Sequence, residues 1–166
     1  MFKFINILII VFALHLPDKI DDIRAQYFQI DSLEKADYYI DQLKNESSIE
    51  ARAYTAALYF TKYKLYNFPF KKMKYFKKGK SMLEKVISER PSNVELRYIR
   101  YCLQKRVPDF IGYNANLQED LNLILKNMSD SDMSGSIKSI ILNNILFLND
   151  LTEKDKMELN LMLKRL

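Results

Sequence analysis

The sequence predicts an all-α fold of about seven or eight helices, stacked as antiparallel pairs in the manner of a helical-repeat protein. Three observations carry that expectation. Apolar residues recur at three- and four-residue spacing rather than alternating. The 166 residues include only 3 Gly and 4 Pro, too few breakers to cut the chain into short pieces. Helix-start signals return at regular intervals, parting segments of helical length with short polar stretches. At 48% hydrophobic and 28% charged residues, the composition is that of an ordered globular chain, and the length suits one domain with a sizeable core.

The first sixteen residues, MFKFINILIIVFALHL, set one lysine ahead of an apolar run that ends before Pro17. This is the grammar of a short signal peptide, with Val11 and Ala13 loosely matching a small-x-small cleavage pattern, and the run is short for a bilayer span. Residues 1–16 are therefore expected to be a signal peptide or hydrophobic leader of a periplasmic or otherwise exported protein, with a buried first helix or a membrane-retained leader as alternatives. Residues 17–166 form the helical domain.

A first helix is expected over residues 19–29, with Ile20, Ile23, Tyr27 and Ile30 on one side. Asp31 with Glu34 has capping-box spacing for a second helix ending near Leu43, and Ser47 with Glu50 repeats it for a third over 49–66. The third carries Ala53, Ala56 and Ala57 before Phe60 and Tyr63, and small residues one turn apart let a neighbouring helix approach closely. Pro69 is expected to end it. A fourth helix is predicted over 70–89, stopped ahead of Pro91, and Ser92 with Glu95 caps a fifth that runs to Lys105.

Residues 106–114, RVPDFIGYN, break the periodicity at Pro108 and Gly112, while Phe110, Ile111 and Tyr113 keep the segment apolar. Such a loop either plugs the end of the core or lines a ligand pocket through Phe110, Tyr113 and Asn114. A sixth helix over 116–128 precedes the polar loop SDSDMSGS, and helices over 137–148 and 152–166 complete the chain, the last capped by Thr152 with Asp155. The run IKSIILNNILFL at 137–148 is apolar around much of its circumference, as befits a central helix or a partner-binding face.

Gly79, Leu83, Val86 and Pro91 are spaced like the small, large, small and proline positions in the second helix of a tetratricopeptide repeat, and PSNVELRY like the turn into a next repeat. Ala53, Ala57 and Phe60 match the preceding helix. Residues 49–105 thus resemble one degenerate tetratricopeptide repeat, with a connection about ten residues longer than that family's and no first-helix tryptophan. The short leader, PFKKMKYFKKGK, PSNVELRYIRY and PDFIGYN together are also similar to a group of uncharacterised exported bacterial proteins. These resemblances imply helical scaffolding and no particular activity.

The residue inventory argues against catalysis. His15, the single histidine, lies in the leader, so the folded body lacks the commonest general base and zinc ligand. Cys102 is the single cysteine, set among Leu96, Ile99 and Leu103 as a small buried hydrophobe, and it leaves no partner for an intramolecular disulfide. Glu119 with Asp120, and Asp130 with Asp132, are adjacent or loop-borne, neither spacing setting two carboxyls across a substrate. No glycine-rich phosphate loop, nucleophile elbow or metal-ligand cluster is present. No enzyme, cofactor or metal is expected, carboxylate-only hydrolysis being the remaining enzymatic option.

Charge is distributed unevenly. Residues 51–106 hold 15 basic and 3 acidic residues, against 5 and 9 before them and 6 and 9 after them. Six of residues 71–80 are lysines; at 100° per residue Met73, Phe76, Leu83 and Ile87 share one side and Lys71, Lys74, Lys78 and Lys85 the other. Arg97, Arg100, Lys105 and Arg106 are expected to extend this field into the fifth helix. Two binding readings follow. In the leading one, a groove of the third to fifth helices, with Tyr59, Tyr63 and Tyr101 and the loop residues Phe110, Tyr113 and Asn114, holds a segment of an unknown protein partner. In the alternative, Lys71, Lys74, Lys78 and Lys85 form a basic surface for anionic lipid headgroups or acidic polymers. An exported chain meets such surfaces rather than nucleic acid. Against both stands ordinary neutralisation, in which the acidic ends pack near the basic middle and the lysines are a solvated face.

Overall fold

The computed structural model describes residues 19–148 and 151–166, which form an all-α arrangement of eight helices. In chain order these are α1 (Lys19–Gln26), α2 (Leu33–Leu43), α3 (Ile49–Leu65), α4 (Pro69–Glu89), α5 (Val94–Arg106), α6 (Leu117–Asn127), α7 (Gly135–Phe147) and α8 (Glu153–Arg165), with 3-10 turns at Tyr27–Gln29 and Asp109–Ile111. The leader predicted at residues 1–16 lies outside the described residues. No helix among the described residues is long and apolar enough to cross a membrane.

Three of the expected caps move by one residue. Ser32 rather than Asp31 caps α2, Ser48 rather than Ser47 caps α3, and Asn93 rather than Ser92 caps α5; each accepts a backbone N–H three residues on. Asp31 serves elsewhere, accepting from Lys35, and Glu95, the expected capping-box partner of Ser92, accepts from Arg24 instead. Thr152 caps α8 as predicted, accepting from the Asp155 N–H while its hydroxyl donates to the Asp155 carboxylate. Pro69 does not merely end α3: it opens α4 at the position where its missing N–H costs nothing.

Cross-contacts fix the pairing. Lys71 sits over Tyr66, Lys72 over Tyr63 and Lys78 over Tyr59, and Arg52 meets Glu89, so α3 and α4 run antiparallel about the short connection at residues 66–68. Lys19 to Gln42 and Arg97 to Asp120 with Gln104 to Asn116 tie α1 to α2 and α5 to α6. The long hairpin closes on bare backbone: a Cβ at Gly79 would stand 2.7 Å from the Phe60 ring and 2.8 Å from the Ala56 carbonyl. Ala53, Ala56 and Ala57 are fully buried there, as their spacing predicts.

The central helix is α5, not α7. Every residue from Val94 to Gln104 is buried, whereas α7 buries Ile141, Leu142 and Ile145 and leaves Phe147 exposed. A helix carrying Glu95, Arg97, Arg100 and Gln104 can occupy the middle because each of these finds a partner. Among the described residues no buried side-chain nitrogen or oxygen lacks one.

Candidate functional site

Two arginines of the basic segment, Arg97 and Arg100, are buried inside the molecule, whereas Arg90 and Arg106 are exposed. Asp120 is 0% exposed and accepts from Arg97 Nη1 at 2.8 Å and from Arg100 Nε and Nη2, each at 2.7 Å. Arg97 also donates to Glu119 and the Pro91 carbonyl, and Arg100 to Glu84. Arg24 holds Glu95 through two bonds of 2.7 Å, with the Tyr54 hydroxyl adding a third, and Arg52 grips Glu89 the same way on the surface. Arg97 and Arg100 therefore do not extend a surface field, contrary to the expectation from charge counting; they neutralise a buried carboxylate. Asp120 escaped sequence reading, although a signal was there: it lies three residues after Leu117 and four before Ile124, a carboxylate on an apolar stripe.

The lysines of α4 behave differently. Lys71, Lys74, Lys77, Lys78 and Lys85 are exposed, Lys72 and Lys80 half-buried. Among the described residues none of these seven forms an ion pair with a carboxylate. The only acids on the helix, Glu84 and Glu89, are committed to Arg100 and Arg52. Aromatic rings take their place. Lys78 lies 4.0 Å from the Tyr59 ring centre, Lys80 4.9 Å from Tyr113, Lys71 5.2 Å from Tyr66 and Lys72 5.6 Å from Tyr63. The ring faces present negative charge to these ammoniums, each such contact being worth about 0.5–1 kcal/mol at exposed sites, and leave every lysine its positive charge.

Tyr75 sits between these rows, stacked on Tyr66 and Tyr59 and capped by the Lys62 ammonium at 4.7 Å. Lys62 itself is buried and paired with Asp37. Burial pushes the Tyr75 hydroxyl up, but hydrogen bonding from Tyr66 and the nearby Lys62 charge outweigh it and hold Tyr75 below the ordinary phenol range.

On the helical wheel Phe70, Lys74, Lys77, Ser81 and Lys85 cluster on the outward side, within about 80° at 100° per residue. Phe70 is 78% exposed and Phe68, in the connection before it, 57% exposed, their ring centres 5.6 Å apart. Met73, predicted to face the core, stands at the surface. Sequence reading did not single out the two phenylalanines; the signal was Phe70, at the start of the predicted fourth helix, falling on the same side as Lys74 and Lys77.

The residues expected to line a partner groove are not gathered into one. Tyr101 is 2% exposed, and Tyr113 is buried between Phe60 and Phe76 with its hydroxyl donating to Glu84 at 2.6 Å. Phe110 is 86% exposed, and Asn114 lies at the surface donating to Asp109. Tyr59 and Tyr63 are half-buried under Lys78 and Lys72. Beside Tyr63, the space between α3 and the end of α5 holds about 40 Å³, room for a water or two and not for a peptide. The loop is thus a plug at Tyr113 and open at Phe110.

A larger cleft, about 530 Å³, opens at the other end of α5 between Arg24, Glu50, Asn93, Asn127, Asp132 and Ser134. On its walls Arg24 is held by Glu95 and Asp21, and Asn93 by Glu50 and the Leu96 N–H. Cys102 is wholly buried and its thiol is pushed up to about 12 by desolvation. Among the described residues no three His, Cys, Asp or Glu side chains converge in a way that could hold a metal. No protein-family model, curated protein or solved structure matches the chain.

Proposed function

We propose that this chain is a non-catalytic, exported helical module that binds anionic partners through the lysine face of α4. One observation carries the reading: neutralisation is selective. Arg24, Arg52, Arg97 and Arg100 each hold a carboxylate, whereas the seven α4 lysines rest on tyrosine rings or face solvent. A surface charged in this way attracts phosphate- or carboxylate-bearing partners over about one Debye length. Lysines also suit loose, multivalent attraction better than bidentate recognition of a single group. A protein segment held in a groove by Tyr59, Tyr63, Tyr101 and Tyr113 has less support, since Tyr101 and Tyr113 belong to the core.

The test is binding of the full chain to inorganic polyphosphate across a salt series, beside a Lys71→Glu/Lys74→Glu/Lys78→Glu variant whose helicity is checked. The wild type binds at 10 mM salt, weakens as the Debye length shrinks from about 30 Å to about 8 Å at 0.15 M, and the variant fails to bind. Binding that ignores both salt and the three reversals would reject the reading. Export rests on residues 1–16, and cell fractionation tests it separately.

A further inference from the structure

We infer that the anionic partner is a lipid bilayer, and that Phe68 and Phe70 at the tip of the α3–α4 hairpin enter it as an aromatic anchor; the inference rests on the binding role proposed for the α4 lysines. Two adjacent phenylalanine rings, 57% and 78% exposed, pack on each other and belong neither to the core nor to the partly buried residues packed against it. Met73 stands one turn on from Phe70 and is exposed as well. Exposed Lys71, Lys74 and Lys77 follow directly, and Phe70, Lys74, Lys77 and Lys85 share the outward face of one helix. From Phe70 to Lys85 that face runs about 22 Å.

Lysines beside protruding aromatics are what an interfacial helix presents to a bilayer: the ammoniums stay at the phosphate level while the rings pass into the acyl boundary. Charge complementarity selects this occupant over the others. A soluble polyanion would engage the lysines and leave both rings in water. A second copy of the chain would set one unpaired lysine row against another, and like charges repel.

The sequence contains no tryptophan, so Phe70→Trp places a single indole at the tip of the full chain. Its emission is recorded with vesicles of phosphatidylcholine alone, with vesicles containing phosphatidylglycerol, with the same vesicles carrying brominated acyl chains, and with polyphosphate. The expected result is a blue shift and bromine quenching only with the phosphatidylglycerol vesicles, and no shift with polyphosphate. Phe68→Ser/Phe70→Ser should lower affinity for those vesicles about tenfold or more while leaving polyphosphate binding within about twofold. An indole that stays water-like and unquenched on bound vesicles, or a serine variant that binds them as wild type does, overturns the anchor while polyphosphate binding sustains the lysine reading. Absence of binding to both vesicles and polyphosphate at low salt overturns the two together.

Discussion

Asp120 offers the sharpest test of how this fold disposes of its charge. Replacing it by alanine removes three charge-assisted hydrogen bonds of 2.7–2.8 Å and leaves the Arg97 and Arg100 guanidiniums buried beside α6 without their shared acceptor. Breaking a buried ion pair from one side typically costs about 3–5 kcal/mol. Here Arg97 keeps Glu119 and Arg100 keeps Glu84, both partly exposed, so the lower end applies, about 3 kcal/mol. At about 2–4 °C per kcal/mol for a domain of this size, the melting temperature should fall by about 6–12 °C. Glu119→Gln is the control: its carboxylate is 57% exposed, so its loss should cost under about 1 kcal/mol. Replacing the whole cluster, Arg97→Met/Arg100→Met/Asp120→Leu, should recover most of the stability lost in Asp120→Ala, because well-packed apolar groups often equal a buried ion pair. Thermal and urea unfolding followed by circular dichroism would measure all three. An Asp120→Ala protein no less stable than Glu119→Gln would refute the account of α5 as a helix held central by compensated charge.

Other outcomes follow from the same packing and titration arguments. Gly79→Ala, which in an open helix would gain about 1 kcal/mol, should instead destabilise by about 1–3 kcal/mol, because the new methyl meets the Ala56 carbonyl at 2.8 Å and backbone cannot step aside; equal or higher stability in urea would contradict the close α3–α4 approach. Burial raises Cys102 from 9.0 and Tyr27 from 10.0, each to about 12, and raises Tyr54, Tyr98 and Tyr113 in the same direction. The unfolded chain therefore loses these protons first, so stability should be full below about pH 9 and fall between pH 9 and 12, with tyrosinate absorbance rising alongside unfolding. Lys74→Gln relieves repulsion from Lys71, Lys77 and Lys78 at about 0.2–0.5 kcal/mol per pair, so it should stabilise the protein at low salt and lose that advantage at high salt, as parallel melts would record.

The helices were legible in the sequence because a 3.6-residue apolar period survives wherever one face of a helix is buried, and seven of the eight have a polar face. The one that does not, α5, was found as a helix but not recognised as the central one. Its Arg97 and Arg100 read as surface charge because a sequence shows the charge and not its partner, and the partner, Asp120, lies twenty residues on in another helix. Cap positions slipped by one for a related reason: SerSer, AspSer and SerAsn pairs each offer two capping oxygens, and tertiary packing of the following stripe selects between them. At the candidate site, the exposed Lys71, Lys74, Lys78 and Lys85 could be read from helical angle alone. The tyrosines could not, since a ring under an ammonium and a ring in a core share the same spacing: Tyr59 and Tyr63 went to the first environment, Tyr101 and Tyr113 to the interior.

Local preference and tertiary packing disagree along α4. Its first turn has no acid and no side-chain cap, and it opens with Lys71 and Lys72 at the end of the helix where the backbone dipole already concentrates positive charge. Four lysine pairs at helical i,i+3 or i,i+4 spacing, 71 with 74, 74 with 77, 74 with 78 and 77 with 80, add about 1–2 kcal/mol of repulsion. The helix forms because Phe76, Leu83, Val86 and Ile87 bury against α3 and its neighbours, and because Gly79 lets the two backbones touch. Glutamine at several lysine positions would keep all of that packing and remove most of the repulsion. The fold therefore accounts for the apolar side of α4 and, through the tyrosine rings, for Lys71, Lys72, Lys78 and Lys80, but it gives no reason for the charge at Lys74, Lys77 and Lys85, and an anion bound there would relieve the dipole conflict and the lysine repulsion at once. Binding should consequently raise the melting temperature most at low salt, where the repulsion it cancels is largest, and the increment should shrink as added salt does the same screening without a ligand.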